Sequence, residues 1–297
     1  MKSLQYFQPM VHVPLLKIDN IFKLVKPISE YLVYRRPIGI DIYIAGGRIY
    51  DFNRRELLNR TLLFNLEKVL ATSLQTQGLY IGTLCSIAEP TKIIKFRPLL
   101  YINDNSLPLT VRFLVYDIIF PYFKVDNPYW CRNDIAKKTI GGMPGCSCME
   151  VHKFDTYKEF KTYIKEKFEI DRYCSFIIFD RSGQYHEGKR QLTYSPYEQV
   201  SFELSASQRY RSHIRRIIPV DIEISEGKTV TIAGSIEARF KNKPIIVPII
   251  NPNYILRKNL WDHRKELKRT PFAFEGIYFE EDNTFEILGL HYSKFIL

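Results

Sequence analysis

Apolar and polar residues alternate on both sides of the pair Gly46-Gly47. Residues 38–44 run Ile-Gly-Ile-Asp-Ile-Tyr-Ile, and residues 48–52 alternate again. A period of two is typical of a half-buried β-strand. Two adjacent glycines supply the positive φ angles that both central residues of a tight hairpin turn need. The pattern therefore predicts a β-hairpin, around which the first part of the chain is organised.

A four-residue spacing of leucines after the hairpin predicts an amphipathic helix over residues 56–74. A second helix is predicted over residues 155–168, with Asp155 as its N-cap. Further apolar or alternating stretches predict strands over residues 78–85, 111–120, 173–179 and 200–205. Residues 121–152 are interrupted by glycine and proline, so this stretch is predicted to be irregular.

Near residue 219 the pattern changes to short alternating strands separated by turns. Strands are predicted over residues 220–224, 229–232, 234–237, 272–279 and 284–288, and a helix over residues 259–267. This shift predicts two domains, residues 1–218 and residues 219–297, in a protein of the α+β class.

The composition fits a globular protein with a polyanionic partner. The chain of 297 residues is 45% hydrophobic and 25% charged, and its net charge is +11. This excess of Lys and Arg favours nucleic acid over a membrane surface as the partner, while a soluble protein from a lysine-rich proteome is the alternative. No apolar run reaches the roughly 18 residues of a transmembrane helix, and the N-terminus lacks the apolar core of a secretory signal.

Five cysteines, an odd number, indicate a reducing intracellular compartment (cytoplasmic, nuclear or viral) rather than secretion. Cys131, Cys146, Cys148 and His152 lie within 22 positions of one another. The one-residue spacer between Cys146 and Cys148 suits a zinc chelate poorly, because zinc sites favour pairs two to four residues apart. We therefore expect a loop with incidental thiols, and neither a metal nor a cofactor.

The hairpin resembles the one that carries motif I, Lys-x-Asp-Gly-x-Arg, in the ATP-dependent DNA ligases and the related RNA ligases and capping enzymes. The matching residues run Arg36-Pro37-Ile38-Gly39-Ile40-Asp41. Other stretches resemble later motifs of this family in the right order. They are Ile81-Gly82-Thr83 for motif III, Tyr116-Asp117 for motif IIIa, Cys174-Ser175 for motif IV, and Glu203 with Ser205 for motif V.

The C-terminal part resembles the OB-fold of these ligases, a small five-stranded barrel that commonly binds nucleic acid. Residues 234–237 are similar to its opening strand, and the stretch around Trp261 is similar to its helix. The resemblance implies a nucleotidyltransferase domain of antiparallel sheets with helices, followed by an OB-fold barrel. Its ordered motifs span nearly the whole chain at the size of a minimal viral ligase.

The resemblance also shows what the sequence lacks. In the family a lysine amine attacks the nucleotide α-phosphate, whereas Arg36 stands at that position and arginine has no free lone pair at neutral pH. Thr83 and Cys174 replace two acidic residues, and Glu203 and Ser205 replace two lysines. The five substitutions at Arg36, Thr83, Cys174, Glu203 and Ser205 predict a scaffold without adenylation chemistry. Ile38, Gly39, Asp41 and Tyr116 are the other positions that match the motifs of the family.

The basic residues cluster where ligases hold duplex DNA. Candidate nucleic-acid-binding residues are Arg54, Arg55, Arg209, Arg211, Arg215, Arg216, Arg257, Lys258, Trp261, Arg264, Lys265, Lys268 and Arg269. The sequence thus predicts a catalytically inactive, ligase-like protein that binds DNA or RNA within a viral or mobile-element replication or transcription assembly. Two alternatives remain: an active ligase or guanylyltransferase that uses Lys17 or Lys189, and a scaffold that binds only proteins.

Overall fold

The computed structural model describes most of the chain. The described residues are 10, 12–15, 24–89, 91–120, 127–171, 173–185, 201–205, 207–225, 227–240, 243–249, 254–262, 264–267, 272–279 and 284–292. The chain divides into two compact units, Met1–Ala206 and Ser207–Leu297. The domain boundary predicted between residues 218 and 219 lies within a strand that runs over Ser207–Ser225.

The first unit contains two five-stranded sheets. Its strands are β1 (Val13–Leu15), β2 (Tyr31–Arg36), β3 (Ile40–Ala45), β4 (Arg48–Asp51), β5 (Leu79–Ser86), β6 (Val111–Ile119), β7 (Cys146–Cys148), β8 (Val151–His152), β9 (Ser175–Asp180) and β10 (Ser201–Ser205). One sheet has the order β4-β3-β5-β6-β7 and the other β1-β10-β9-β2-β8. All pairs are antiparallel except β1 with β10 and β6 with β7.

Helices pack against these sheets. They are α1 (Arg60–Asn65), α2 (Glu67–Thr76), α3 (Lys92–Lys95), α4 (Tyr129–Ile140) and α5 (Tyr157–Ile170). One aromatic-rich core lies between the two sheets and joins residues such as Tyr34, Tyr43 and Phe179. A second core lies between the outer face of the β2–β9–β10 sheet and α5, which contributes Phe160 and Ile164.

The predicted hairpin is present as β3 and β4, and Gly46 and Gly47 have φ angles of 55° and 75°. The expectation of a half-buried strand was wrong, because Ile42 and Tyr43 face opposite sides of β3 and both are buried. At Gly39 a Cβ atom would lie 2.4 Å from Thr83 Cγ2 and 2.5 Å from the Leu84 carbonyl oxygen. A glycine there lets the start of the hairpin approach β5 closely.

The helix predicted over residues 56–74 is two helices, α1 and α2, which begin later and are separated at Leu66. The Asn59 side chain caps α1 by accepting a hydrogen bond from the Leu62 amide. The N-cap of α5 is Thr156 rather than the predicted Asp155. Thr156 and Glu159 form a reciprocal capping box at this helix start.

Residues 121–152 were predicted to be irregular, and this was wrong because α4 occupies residues 129–140. Its buried face contains Tyr129, Arg132, Asn133, Ala136 and Ile140 at helical spacing. Two of these buried residues are polar, so a search for an apolar stripe does not detect the helix. Arg132 forms a buried ion pair with Asp117 of β6 over 2.9 Å.

The second unit is a five-stranded antiparallel sheet with helices. Its elements are β11 (Ser207–Ser225), β12 (Lys228–Phe240), β13 (Lys243–Pro248), α6 (Tyr254–Asp262), α7 (Arg264–Leu267), β14 (Phe272–Phe279) and β15 (Thr284–Tyr292). The sheet order is β13-β12-β11-β14-β15, and its described strands do not pair into a closed barrel. None of the helices formed by the described residues has the length and apolar character needed to cross a membrane.

Candidate functional site

A cluster of charged and polar side chains surrounds Arg36 at the end of β2. Its Nε donates a hydrogen bond to Ser175 Oγ over 2.9 Å, and its Nη1 donates to Asp41 Oδ2 over 3.1 Å. Its Nη2 donates to Glu203 Oε1, so one guanidinium joins two carboxylates. The Thr83 hydroxyl donates to Asp41 Oδ1 over 2.9 Å. We call these five residues the Arg36 cluster.

The strand register explains why these residues meet. Arg36 lies opposite Ser175 in the β2–β9 pair, and Glu203 lies on β10 on the other side of β9. Side chains alternate between the two faces of a sheet, which places Arg36, Ser175 and Glu203 on the face toward the other sheet. Asp41 and Thr83 are directly opposite each other in the β3–β5 pair of that other sheet.

The cluster keeps the Arg36 side chain charged. Burial by itself lowers the pKa of the guanidinium, but the carboxylates of Asp41 and Glu203 outweigh burial and raise the pKa above its ordinary value. The side chain of Arg36 is 13% exposed, and those of its two acidic partners are 29% exposed. Each of the three guanidinium nitrogens of Arg36 donates to a side chain of the protein itself.

A histidine lies beside this cluster. The His12 Nδ1 is 2.9 Å from Ser201 Oγ, and its ring lies edge-on to Tyr116 and Phe179 at centroid distances of 5.9 and 5.4 Å. Burial lowers the pKa of His12 to about 4, although Glu203 acts in the opposite direction. Within the described part of the chain, the buried Nε2 atom has no hydrogen-bond partner. His12 is therefore a neutral imidazole at physiological pH.

The other motif positions are not members of the Arg36 cluster, although Tyr116 and Ser205 lie next to it. Cys174 is fully buried in the core beneath α5, on the opposite side of the sheet from the Arg36 cluster. Tyr116 and Ile38 are buried, and Tyr116 belongs to the core between the sheets. Ser205 pairs with Ser175 in the strand register and is half-buried.

The sequence named Ser175 only as the neighbour of Cys174 in motif IV, and it did not identify His12. Ser175 could have been found from strand alternation, because it and Cys174 necessarily face opposite sides of the sheet. His12 offered no local signal. It reaches the site because β1 pairs in parallel with β10, which lies almost 190 positions later in the chain.

The cysteine-rich stretch forms no metal centre among the described residues, where no three His, Cys, Asp or Glu side chains are grouped to hold an ion. Cys146 is buried in β7, and burial raises its pKa to about 11. Lys17 and Lys189, the alternative nucleophiles, lie outside the described residues.

A tight loop after β4 presents Arg54 and Arg55 to solvent. Buried Asp51 holds this loop, because its Oδ1 accepts hydrogen bonds from the amides of Asn53 and Arg55 over 2.9 and 2.8 Å. The Tyr101 hydroxyl donates to its Oδ2 over 2.8 Å. Arg54 has a φ of 65°, an unusual value for a residue with a side chain, and the Arg55 guanidinium lies 4.2 Å from the centre of the Tyr101 ring.

The basic residues of the second unit have different surroundings. Arg257 Nε donates to the Ala233 carbonyl over 2.8 Å, and Lys258 forms an ion pair with Asp262 over 2.6 Å. The Arg264 guanidinium stacks over the Trp261 ring at 3.8 Å.

Arg216 and Lys265 are exposed. The backbones of Arg209, Arg211 and Arg215 lie in β11, while Lys268 and Arg269 are outside the described residues.

Comparison with known proteins defines the fold. No family model matches this sequence, and no curated protein matches it. Among solved structures, the Chlorella virus DNA ligase-adenylate is 12% identical with a TM-score of 0.50, and the match covers 96% of this chain and 99% of that one. A Lig E DNA ligase, described as binding DNA with a minimal scaffold, is 10% identical with a TM-score of 0.52 and coverages of 96% and 99%.

A mycobacterial DNA ligase D in complex with ATP and MES is 11% identical, with a TM-score of 0.57 and coverages of 98% and 97%. Identities this low establish the fold alone. The resemblance expected from the ordered motifs is confirmed at that level. The chain has the fold of the ATP-dependent DNA ligases along nearly its whole length.

Proposed function

We propose that this protein is a ligase-fold nucleic-acid-binding protein that does not form a covalent nucleotide adduct. The observation that carries this proposal is the Arg36 cluster. A nucleophilic amine must be neutral when it attacks a phosphate, whereas the Arg36 guanidinium is held in its charged form by two carboxylates.

The charges around Arg36 also oppose a bound triphosphate. By the resemblance, Asp41 stands where the family has an arginine, and Glu203 stands where it has a lysine that holds phosphate. Two carboxylates against one guanidinium leave a net negative charge at this position. Phosphate oxygens are repelled by such a site, and the Arg36 donors are already engaged by the chain itself.

The chain itself also fills the space beside Tyr116. In the family an aromatic residue at this motif position stacks on the adenine base. Here the His12 ring lies against Tyr116, and buried Met10 belongs to the same core. The Met10 amide donates to the Tyr185 hydroxyl over 2.9 Å, which fixes this segment between the sheets. A base that approached Tyr116 from this side would displace these side chains, which favours loss of nucleotide binding.

Two features support a nucleic-acid partner. The loop after β4 uses a buried carboxylate and a strained residue to present Arg54 and Arg55, and strain of this kind is concentrated at functional sites. In the second unit the two edge strands β13 and β15 approach each other within 8 Å between Cα atoms. This approach supports an OB-fold-like barrel as the predicted C-terminal domain.

We propose that the protein acts in a replication or transcription assembly of a virus or mobile element.

The proposal is tested by incubating the chain with radiolabelled ATP or GTP and Mg²⁺, followed by denaturing electrophoresis. We expect no labelled band under conditions in which a Chlorella virus DNA ligase control is labelled. A labelled band would overturn the proposal, and the variants Lys17→Ala and Lys189→Ala would then identify the nucleophile. Binding of a labelled duplex at low salt tests the proposed nucleic-acid binding. Absence of binding would favour a protein-binding scaffold.

A further inference from the structure

Two side chains of the second unit, Trp261 of α6 and Arg264 of α7, lie one over the other. The guanidinium carbon of Arg264 is 3.8 Å from the centre of the Trp261 ring. The Arg264 Nη1 also donates a hydrogen bond to the Trp261 carbonyl over 2.8 Å. The ring and this hydrogen bond hold the guanidinium in one orientation, so that little side-chain entropy is left to lose when a ligand binds. We call Trp261 and Arg264 the stacked pair.

The positive charge of Arg264 is available to a ligand. Lys258 is paired with Asp262 over 2.6 Å, whereas Arg264 forms no ion pair within the part of the chain that the structure describes. Among the same residues its one hydrogen bond is that from Nη1, which leaves Nε and Nη2 as donors. Trp261 and Arg264 are both partly exposed. A ligand can therefore reach a cation that the chain has oriented but not neutralised.

The sequence around the stacked pair is strongly basic. Residues 254–269 contain six Lys or Arg residues and two acidic residues. Lys265, which directly follows Arg264, is exposed. An aromatic side chain among basic residues is typical of surfaces that bind single-stranded nucleic acid, because the cations attract the phosphates while bases stack on the flat groups.

A flat cationic surface distinguishes unpaired bases from paired ones. In a duplex the neighbouring bases cover both faces of each base, so a protein reaches base edges and phosphates. An unpaired base exposes its faces and can stack on an aromatic ring or on a guanidinium plane. The indole of Trp261 covers one face of the Arg264 guanidinium, which leaves the other face for a base and the Nε and Nη2 donors for a phosphate.

We propose that the stacked pair binds an unpaired nucleotide, so that the ligand of this protein is nucleic acid with a single-stranded segment. The base stacks on the open face of the Arg264 guanidinium, and Trp261 is a positioning residue that supports this guanidinium from behind. Lys265 contacts the flanking phosphates. This inference rests on the proposed nucleic-acid binding and specifies which class of nucleic acid is bound.

The test compares two labelled duplexes that differ only in the bases of a short overhang. One overhang carries about six thymidines, and the other carries the same number of abasic nucleotides. Both probes have the same number of phosphates, so a difference in affinity reports on the bases. Fluorescence anisotropy of the full chain should give a dissociation constant at least about tenfold lower for the thymidine overhang.

Two substitutions locate this preference at the stacked pair. Arg264→Lys keeps the positive charge but removes the guanidinium plane, so it should lose the preference for thymidines while its affinity for a blunt duplex stays within about twofold. Trp261→Leu removes the supporting ring and should also lose the preference, whereas Trp261→Phe should retain part of it. Trp130→Leu is the matched control, because Trp130 is a tryptophan of the first unit that is 45% exposed.

Equal affinity of the wild type for the two overhangs would overturn this inference even if the blunt duplex binds. An unchanged preference in either Arg264→Lys or Trp261→Leu would also overturn it, as would an equal loss of preference in Trp130→Leu. Absence of binding to every probe, blunt duplex included, would overturn the proposed function as well. None of these outcomes depends on the nucleotide-labelling result.

Discussion

At the scale of single residues, Arg36 depends on having both of its acidic partners. We predict that Glu203→Gln lowers the free energy of unfolding by about 1–3 kcal/mol, because it removes one carboxylate from a largely buried guanidinium. The matched control is Asp262→Asn, which breaks the exposed pair with Lys258 and should cost less than about 0.5 kcal/mol. Urea unfolding measures both changes, and similar losses for the two variants would contradict a special role of the Arg36 cluster.

The two carboxylates beside Arg36 also predict what happens when the lysine of the family is restored at this position. A lysine in Arg36→Lys would face the same two carboxylates, which favour its charged ammonium form. We therefore expect Arg36→Lys to remain unlabelled by ATP or GTP in the denaturing gel. A labelled band from this single variant would mean that the site needs only a lysine to regain its chemistry.

His12 makes stability depend on pH. Its pKa is lowered to about 4 by burial, whereas a histidine of the unfolded chain titrates near pH 6.5, so the unfolded state binds the extra proton between these values. This contribution to stability is fully present above about pH 6.5 and is lost as the pH falls toward 4. Its total is roughly 3 kcal/mol, because the two pKa values differ by about 2.5 units at about 1.4 kcal/mol per unit.

The test is chemical unfolding between pH 4 and 7 for the wild type and His12→Asn. Asparagine can keep a hydrogen bond to Ser201 but does not titrate, so the variant should lose less stability over this range. Equal pH dependence of the two proteins would show that His12 is not held in its neutral form.

At the scale of elements, the loop after β4 offers a test that separates an effect on stability from an effect on binding. Arg54 has a φ of 65°, which glycine adopts freely and which costs other residues about 1 kcal/mol. We predict that the free energy of unfolding of Arg54→Gly exceeds that of Arg54→Ala by up to about 1 kcal/mol. Both variants should bind duplex DNA more weakly than the wild type. Thermal unfolding and fluorescence anisotropy measure the two effects. Equal binding by all three proteins would remove this loop from the proposed interface.

The elements also show where sequence patterns succeed. The hairpin at Gly46-Gly47 and the buried strand β6 were predictable because turn chemistry and local periodicity determine them. Helix α4 was not, because Arg132 and Asn133 occupy its buried face, and the partner that stabilises Arg132 is Asp117 on a separate strand. Local patterns cannot show a polar residue to be buried when its neutralising partner comes from another element.

At the scale of the whole molecule, local sequence patterns also fail to show how the residues of the candidate site contact one another. The residue types at Arg36 and Glu203 were identified from their order along the chain, but the sequence did not reveal that they bond to each other. That contact depends on the register of three adjacent strands, β2, β9 and β10. A motif series can thus indicate which functional groups a family member has exchanged. Only the assembled sheets show that the exchanged groups form ion pairs with one another.

The net charge of +11 leads to a last prediction, on the salt dependence of binding. For duplex DNA, each phosphate that a protein neutralises contributes about 0.9 to the slope of log binding constant against log salt concentration. If Arg54 and Arg55 each bind a phosphate, the double variant Arg54→Ala/Arg55→Ala should lower the magnitude of this slope by about 2. Lys165→Ala, which removes an exposed charge from α5, is the control and should leave the slope within about 0.5 of the wild type. The measurement is fluorescence anisotropy at nanomolar protein. A slope that falls equally in the control would mean that the protein binds through its overall charge and that the loop held by Asp51 has no special part in it.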